Sequence, residues 1–320
     1  MDSQKILITG GRGFIGTNLM RRIRAANGQS QLVVLDNGSM TVPGLVADGA
    51  VIYQDGDVRD LAAVRRAARG CSAIVHLAGQ TRVVESIQDP ELGFEVNARG
   101  TLNVLLAARD AGIAHVVLAS TGGAMFGDTD GPIHEDMLPK PSSPYGASKL
   151  AMEAYAHAFE GSYGLRSAVL RFANVYGPYS TRKGSIVAHL FRQILEREPI
   201  TIYGDGSQER DFVFVDDLCD GIIRAMDARA SGIFHLGSGR PTTLADLLDK
   251  VGRIVGPDWP LDIRYAPWRM GEVRRTHTSI AKAVEVFGYS PGTGLECGLE
   301  ATWRWFIGQY RQVGQGAGNQ

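Results

Sequence analysis

Tyr145 and Lys149 stand four residues apart, a spacing that puts both side chains on one face of a helix. Together they can move a proton that neither handles well alone. A tyrosine has a pKa near 10, so ionising it at pH 7 costs roughly 4 kcal/mol. A neighbouring ammonium favours the phenolate and lowers that cost. Such a tyrosine can take the proton of an alcohol while the carbon bearing it is oxidised. A Tyr–Lys pair at this spacing also occurs as a plain surface pair, so the reading needs an oxidant nearby.

Gly10, Gly13 and Gly16 supply the place for one. They follow an apolar strand directly and open a helix, in a G-x-x-G-x-x-G spacing. The first glycine supports a tight turn, the second lets a pyrophosphate approach the backbone, and the third lets the helix pack closely. The helix start at Phe14 and Ile15 then offers free N–H groups and a partial positive charge to phosphate. Asp36, followed by Asn37, ends the next strand about 20 residues beyond Gly16. A carboxylate there accepts bonds from ribose hydroxyls and repels a 2′-phosphate, which favours NAD over NADP. Asp36 can also be read as a strand-end turn residue. Asp57 and Val58 follow the third strand, where an adenine amino group can be held; Asp57 serves equally as a helix cap.

These groups need a scaffold of alternating strands and helices. Lys5–Thr9, Gln31–Asp36, Val51–Tyr53, Ala73–Leu77, His115–Ala119 and Ser167–Arg171 read as buried strands. Phe14–Asn27, Asp60–Arg69, Val96–Ala111 and Ser148–Tyr163 read as helices between them. Continuous apolar strands alternating with helices predict an α/β fold, a doubly wound parallel sheet of the Rossmann type. Residues 1–176 are expected to form the dinucleotide domain, with about 211–240 returning to it. Prolines and glycines punctuate residues 177–320, expected to form mainly a smaller C-terminal substrate-binding lobe, with a frayed tail from Gly314.

The 320 residues carry a formal net charge of −1, so no general attraction to nucleic acid or membrane is expected. Cys71, Cys219 and Cys297 are odd in number and lack C-x-x-C spacing, which argues against a disulfide framework or zinc site and fits a reducing cytoplasm. No run is apolar and long enough for a membrane span, and the start does not read as a signal peptide.

Several motifs in order resemble the extended short-chain dehydrogenase/reductase family, in particular its nucleotide-sugar epimerases and dehydratases. Thr9-Gly10-Gly11-Arg12-Gly13-Phe14-Ile15-Gly16 resembles the family's opening, and His76-Leu77-Ala78-Gly79, with Gln80 after it, the segment beside the cofactor. Asn97 with Gly100-Thr101 is similar to its central helix, and Ser120-Thr121 before Met125-Phe126-Gly127 to its third catalytic element. Arg171-Phe172-Ala173-Asn174-Val175-Tyr176-Gly177-Pro178 resembles the segment joining cofactor and substrate sites. Tyr203-Gly204-Asp205-Gly206, Arg210-Asp211-Phe212 and Val215-Asp216-Asp217 resemble its second half.

The resemblance implies that Tyr145 is the general base, that Lys149 holds the nicotinamide ribose of NAD, and that Ser120 or Thr121 bridges Tyr145 to the reacting hydroxyl. It places Gly122 and Tyr203 beside the substrate, Asn174 and Arg210 along the nucleotide diphosphate, and Arg269 and Glu272 in a stretch that contacts diphosphate and ribose. It also implies a homodimer through helices near Val96–Ala111 and Tyr145–Phe159. Gly122 stands where a Ser or Thr is usual, Phe126 where Tyr is, and Thr278 where Asp is.

Thr121-Gly122-Gly123-Ala124 discriminates among reactions. The family's 4,6-dehydratases resemble Thr-Asp-Glu there, and its uronate decarboxylases carry a nearby glutamate. Glycine and alanine cannot move protons, so reversible oxidation at C4 through a 4-keto sugar remains, the route of a UDP-hexose 4-epimerase. Arg82, Arg182, Lys183 and Arg192 fall in segments that border the hexose or diphosphate in the family. Clustered cations suit a carboxylate at C6, so UDP-glucuronate is set slightly ahead of UDP-glucose and the N-acetylhexosamines. Each cation can instead pair with the diphosphate or a surface acid. A one-way nucleotide-sugar reductase or dehydrogenase is the alternative enzyme, and a non-catalytic NAD-binding relative the alternative class.

Overall fold

A computed structural model describes residues 4–26, 28–129, 131–269 and 273–317, with side chains through Arg311. Six strands come first: β1 (Lys5–Thr9), β2 (Gln31–Asp36), β3 (Val51–Asp55), β4 (Ala73–His76), β5 (His115–Thr121) and β6 (Arg166–Phe172). Then follow β7 (Asn174–Tyr176), β8 (Ile200–Tyr203), β9 (Glu209–Phe214), β10 (Gly232–Leu236), β11 (Pro241–Thr243), β12 (Ile263–Ala266) and β13 (Arg275–Thr276). The helices are α1 (Phe14–Ala26), α2 (Leu61–Ala68), α3 (Val83–Gln88), α4 (Pro90–Gly93), α5 (Gly100–Asp110) and α6 (Pro144–Tyr163). After them come α7 (Ile186–Glu196), α8 (Val215–Asp227), α9 (Leu244–Val255), α10 (Ala281–Phe287) and α11 (Leu295–Ala317).

Seven strands form one parallel sheet in the order β10-β6-β5-β4-β1-β2-β3. The order reverses between β1 and β4, the switch point where open α/β sheets bind ligands. Side chains alternate faces along each strand. Ile6 and Ile8 pack with Leu19, Ile23, Leu218, Ile222 and Phe287 of α1, α8 and α10. Leu7 points the other way, into Val64, Leu105 and Met152 of α2, α5 and α6. A third core joins α7, α9 and α11 through Leu190, Phe191, Leu247, Trp303 and Phe306, over Ile202, Phe212 and Phe214. In this later part β9 pairs with β7, β11 and β13, and β12 with β8. Among the described residues no helix is long and apolar enough to cross a membrane.

The expected doubly wound sheet is present, with differences at element ends. The helix expected from Ser148 begins at Pro144, because Ser143 accepts the Gly146 N–H as its N-cap and Pro144 fits the first turn. Tyr145 and Lys149 are therefore both helical. The helix expected from Val96 starts as a π-helical turn, Phe94–Arg99, with Asn97 inside it. β10 escaped the strand pattern because His235 interrupts a short apolar run, although the residue is fully buried. α11 continues to Ala317, so the chain is helical past Gly314, where fraying was expected.

Three histidines are locked in neutral surroundings. Burial pushes His76 and His235 down to about 3 and also lowers His115, whose Nε2 lies 2.7 Å from the Ala230 carbonyl. Their folded-state affinities for protons lie below the unfolded value, so the unfolded chain binds more protons and stability falls as pH drops below about 6.5. Calorimetric unfolding in buffers of different ionisation enthalpy is expected to show uptake of at least about two protons at pH 5.5 and fewer than about one at pH 7.5. Equal uptake at both would show that these imidazoles titrate freely.

Candidate functional site

Tyr145 and Lys149 occupy the buried face of α6, 8 % and 5 % exposed. Burial pushes the Tyr145 phenol up to about 12, and the neighbouring Thr121 side chain pulls the other way. At that value ionisation at pH 7 costs roughly 7 kcal/mol. Lys149 Nζ donates to the Ala119 carbonyl at 2.9 Å. Burial brings Lys149 down to about 8, opposed by the charge of Glu153. Ser120, the alternative hydroxyl, is already committed: its Oγ donates to Glu153 at 2.6 Å. Of the two hydroxyls left open by the sequence, Thr121 is the one whose proton no such carboxylate takes.

The glycine turn meets β4 at the switch point. Gly10 has φ +71°, and a Cβ there would lie 2.6 Å from the Ala78 nitrogen and 3.0 Å from the Leu77 carbonyl carbon. A Cβ at Gly16 would strike Gly11 at 2.5 Å, so the third glycine packs against the turn itself. At Gly13 the nearest atom is the Gly10 oxygen at 3.3 Å, leaving this glycine open on its other side. Phe14 is buried at the start of α1 and Ile15 half-buried beside it. Asp36 accepts the Arg12 N–H at 2.9 Å and the Gly38 N–H at 2.8 Å, one on each oxygen. Each oxygen keeps a second lone pair for a ribose hydroxyl. The Arg12 guanidinium adds a 2.6 Å ion pair to Asp55. Asp57 caps no helix: Asp60 caps α2, while Asp57 takes Arg59 through both oxygens and Asn37 Nδ2 at 2.9 Å. These bonds hold its carboxyl well below the usual range. Val58 is buried against Gly100.

A chain of bonds fixes the floor of this groove. The Ala78 N–H donates to Thr9 Oγ1 at 3.3 Å, and Thr9 lies 2.7 Å from His76 Nδ1. His76 Nε2 lies 3.1 Å from Thr101 Oγ1, which donates to the Asn97 carbonyl at 2.6 Å. Thr101 has its proton committed, so it accepts from His76 Nε2–H, and Nδ1 accepts from Thr9. Asn97 clamps Gln80 from both sides, Oδ1 accepting its N–H at 2.9 Å and Nδ2 donating to its carbonyl at 3.0 Å. A Cβ on Gly79 would come 3.0 Å from Asn97 Oδ1 and 3.3 Å from Lys149 Nζ. Gly79, Gln80, Asn97 and Lys149 thus meet in one place. Gln80 Oε1 is buried there without a partner, an acceptor a bound dinucleotide can satisfy.

The remaining predicted residues fall into three groups. Gly122 donates its N–H to the Phe172 carbonyl at 3.0 Å, and a Cβ would crowd Thr278 and His235, so its backbone faces protein. Asn174 opens β7, half-buried, two residues beyond Phe172. Arg82, Arg182 and Arg192 gather at the loop 181–184. Arg82 pairs with Glu85 at 2.5 Å and donates to the Arg182 carbonyl at 3.2 Å. Arg192 donates to the carbonyls of Thr181 and Lys183 at 2.6 and 3.0 Å. Lys183 donates to the Val175 carbonyl at 2.9 Å and sits 5.1 Å from the centre of the Phe14 ring. The third group lies around β8 and β9: the guanidinium of Arg269, from the loop after β12, is 3.6 Å from the centre of the Tyr203 ring, and Arg210 donates to the Glu209 carbonyl at 2.8 Å. Glu272 lies outside the described residues. The structure also brings in Glu153, Arg171 and Ser86, whose Oγ accepts the Tyr145 N–H at 3.1 Å; the sequence analysis gave them no role. Their signals were a charge on a helix face already holding Tyr145 and Lys149, and a charge in an apolar strand.

Comparison with known proteins gives this geometry a setting. The profile of the NAD dependent epimerase/dehydratase family matches residues 6–237. A UDP-glucose 4-epimerase of Mycolicibacterium smegmatis is 34 % identical over 315 residues, covering 94 % of this chain and 98 % of that protein. A UDP-glucuronate 4-epimerase of Thermodesulfobacterium geofontis is 33 % identical over 236 residues, 73 % of this chain and 72 % of that one. The crystal structure of the Thermus thermophilus UDP-glucose 4-epimerase in complex with NAD superposes with a TM-score of 0.87 at 35 % identity, covering 95 % and 99 % of the two chains.

Gly10→Ala is expected to weaken NADH binding, read by nucleotide fluorescence, at least about tenfold, because the added carbon meets backbone and the turn needs positive φ. Gly28→Ala, with open space around its Cβ position, is the control. Equal affinities for the two variants would remove the turn from the site.

Proposed function

The chain belongs to the NAD-dependent epimerase/dehydratase family, and on that premise we propose that it is a UDP-sugar 4-epimerase acting on UDP-glucuronate, with UDP-glucose the second reading. The observation that carries the 4-epimerase reading is the Thr121–Tyr145–Lys149 constellation beside a groove whose neighbouring loop holds only Gly122, Gly123 and Ala124. Tyr145 can take the proton of the C4 hydroxyl, Thr121 can orient that hydroxyl, and no second acid stands in the loop to eliminate water.

Gly10, Gly13, Phe14 and Ile15 would face the pyrophosphate of NAD, Asp36 its adenosine ribose, and Gly79, Gln80, Asn97 and Lys149 the nicotinamide end, with Val58, Leu77, Ala78 and Phe172 lining the groove. The open side of Gly13, the free lone pairs of Asp36 and the unpartnered Gln80 oxygen fit that ligand. NAD bound there supplies reversible acceptance of hydride from C4, so the intermediate 4-keto sugar can be reduced from its opposite face. Lys149, one helical turn beyond Tyr145 on the buried face of α6, would lower the cost of the phenolate, which burial raises. Tyr145 returns the proton when the hydroxyl is restored. Asn174, Tyr203, Arg210 and Arg269 are read as contacts to the nucleotide diphosphate, and residues 177–320 as mainly the lobe that binds it.

The glucuronate preference rests on charge. Arg82, Arg182, Lys183 and Arg192 converge on one loop, with Glu85 the carboxylate paired to Arg82. An uncompensated excess of cations suits a C6 carboxylate. UDP-glucose is supported by the carbonyl partners of Arg192 and by the Mycolicibacterium and Thermus relatives. A homodimer is read from α6, which exposes Ala147, Ala154, Tyr155 and Ala158 beside exposed Val84, Ile87 and Phe94 of the α3–α4 region. Cys71, Cys219 and Cys297 are unpaired, which fits a reducing cytoplasm.

Product analysis by NMR on UDP-glucuronate and UDP-glucose in parallel is expected to show inversion at C4 with no net nicotinamide absorbance change, and faster turnover of the uronate. Steady NADH production would instead identify a dehydrogenase, and glucose turnover many times faster would overturn the uronate preference. Tyr145→Phe and Thr121→Val are expected to lower kcat at least about a hundredfold and tenfold; an unaffected Tyr145→Phe enzyme would rule out the mechanism. Light scattering is expected to give a dimer, and Ala154→Arg a monomer.

A further inference from the structure

Glu153 continues the interval of Tyr145 and Lys149 by one more helical turn and is 4 % exposed. Its Oε1 accepts the Ser120 hydroxyl at 2.6 Å and Arg171 Nε at 3.0 Å, and its Oε2 accepts Arg171 Nη2 at 2.7 Å. Arg171 comes from β6, is 1 % exposed, and lies 5.1 Å from the centre of the Phe126 ring. Three successive residues of β5 thereby meet α6. The Ala119 carbonyl accepts Lys149, Ser120 donates to Glu153, and Thr121 neighbours Tyr145. A buried ion pair is a weak source of stability, since apolar residues of similar volume often serve as well or better. Its position at the joint of α6, β5 and β6 fits a role in the chemistry.

We propose that Glu153 is a positioning residue for the reaction: oriented by Arg171, its carboxylate docks the end of β5 onto α6 and places a negative charge near the Lys149 ammonium. This rests on reading Tyr145 and Lys149 as the proton-transfer pair. The titratable and charged groups around Lys149 are Tyr145 and Glu153 on its own helix, Arg171 on β6 behind Glu153, and His76 on β4, which stays neutral. Glu153 is the anion among them. Burial favours loss of the Lys149 proton, and Glu153 opposes it.

Glu153→Gln keeps the shape, removes the charge and leaves the Arg171 cation uncompensated. Both changes make Lys149 lose its proton at lower pH. The Glu153→Gln/Arg171→Met double variant removes the pair in balance. The test follows the ε-carbon NMR signal of Lys149 with pH in the NAD-loaded protein, assigned by its loss in Lys149→Arg, alongside the pH dependence of kcat. The Lys149 midpoint is expected to fall by at least about one pH unit, tenfold in proton affinity, in Glu153→Gln. The double variant is expected to lie between it and the wild type, and the alkaline limit of kcat to follow the same order with KM little changed.

If Glu153→Gln does not fold, the double variant carries the test. A midpoint below wild type supports the proposal, and a wild-type midpoint and alkaline limit overturn it. A shifted midpoint in a protein that turns over no UDP-hexose would reject the epimerase reading while leaving the Glu153–Lys149 coupling in place.

Discussion

Burial works against both halves of the proton-transfer pair. It drives the Tyr145 phenol up to about 12 and the Lys149 ammonium down to about 8, so each group is pushed toward its uncharged form. Burial is also what lets a charge act strongly when it is present, because water no longer screens it. The site must therefore be dry enough to amplify charge and arranged well enough to keep it. The structure answers with placement: a threonine beside the phenol, a carbonyl on the ammonium, and a carboxylate one turn further along α6.

That placement depends on the sheet. β5 delivers Ala119, Ser120 and Thr121 to α6 because its neighbours β4 and β6 hold it in register over its length. α6 begins early enough to carry Tyr145 only because Ser143 and Pro144 close its first turn. On the cofactor side, the neutral His76 joins β4 to the helix holding Asn97, and Asn97 fixes Gln80 and crowds Gly79 toward Lys149. A charged imidazole would turn Thr9 from donor to acceptor at Nδ1 and break the bond in which Thr9 now donates, so the present chain of bonds favours the neutral ring. The same dryness that disfavours charge on Lys149 keeps His76 uncharged.

Much of this was legible in the residues, for identifiable reasons. The parallel sheet could be read because doubly buried strands are continuous apolar runs, and the glycine turn because its spacing follows from backbone contact. Asp57 stayed open between an adenine contact and a helix cap because sequence does not say which of two aspartates, 57 or 60, meets the helix N–H groups; Asp60 does. Sequence left Ser120 and Thr121 equivalent because what separates them is Glu153, which takes the Ser120 proton from 33 positions away. Glu153 and Arg171 are the harder case. A lone charge in an apolar pattern looks like an error or an edge until its partner is known, and the partner sits on another element. The π-helical turn at Asn97 has no compositional mark either; the Thr101 hydroxyl on the Asn97 carbonyl follows it, and only the fold shows that bond.

The cations at loop 181–184 mark where this reasoning changes character. Arginine and lysine reach far and exchange partners easily, so their sequence positions locate a charge without assigning its use. Here Arg192 and Lys183 hold the loop through neutral carbonyls, and Arg82 ties it to α3 through Glu85. Carbonyl bonds satisfy the donors without cancelling their charge, so the loop is built and remains positive at once. An anion approaching it need not displace those bonds to be stabilised by the field they leave. The bonds that build the loop and the charge it carries are therefore separate properties of the same side chains.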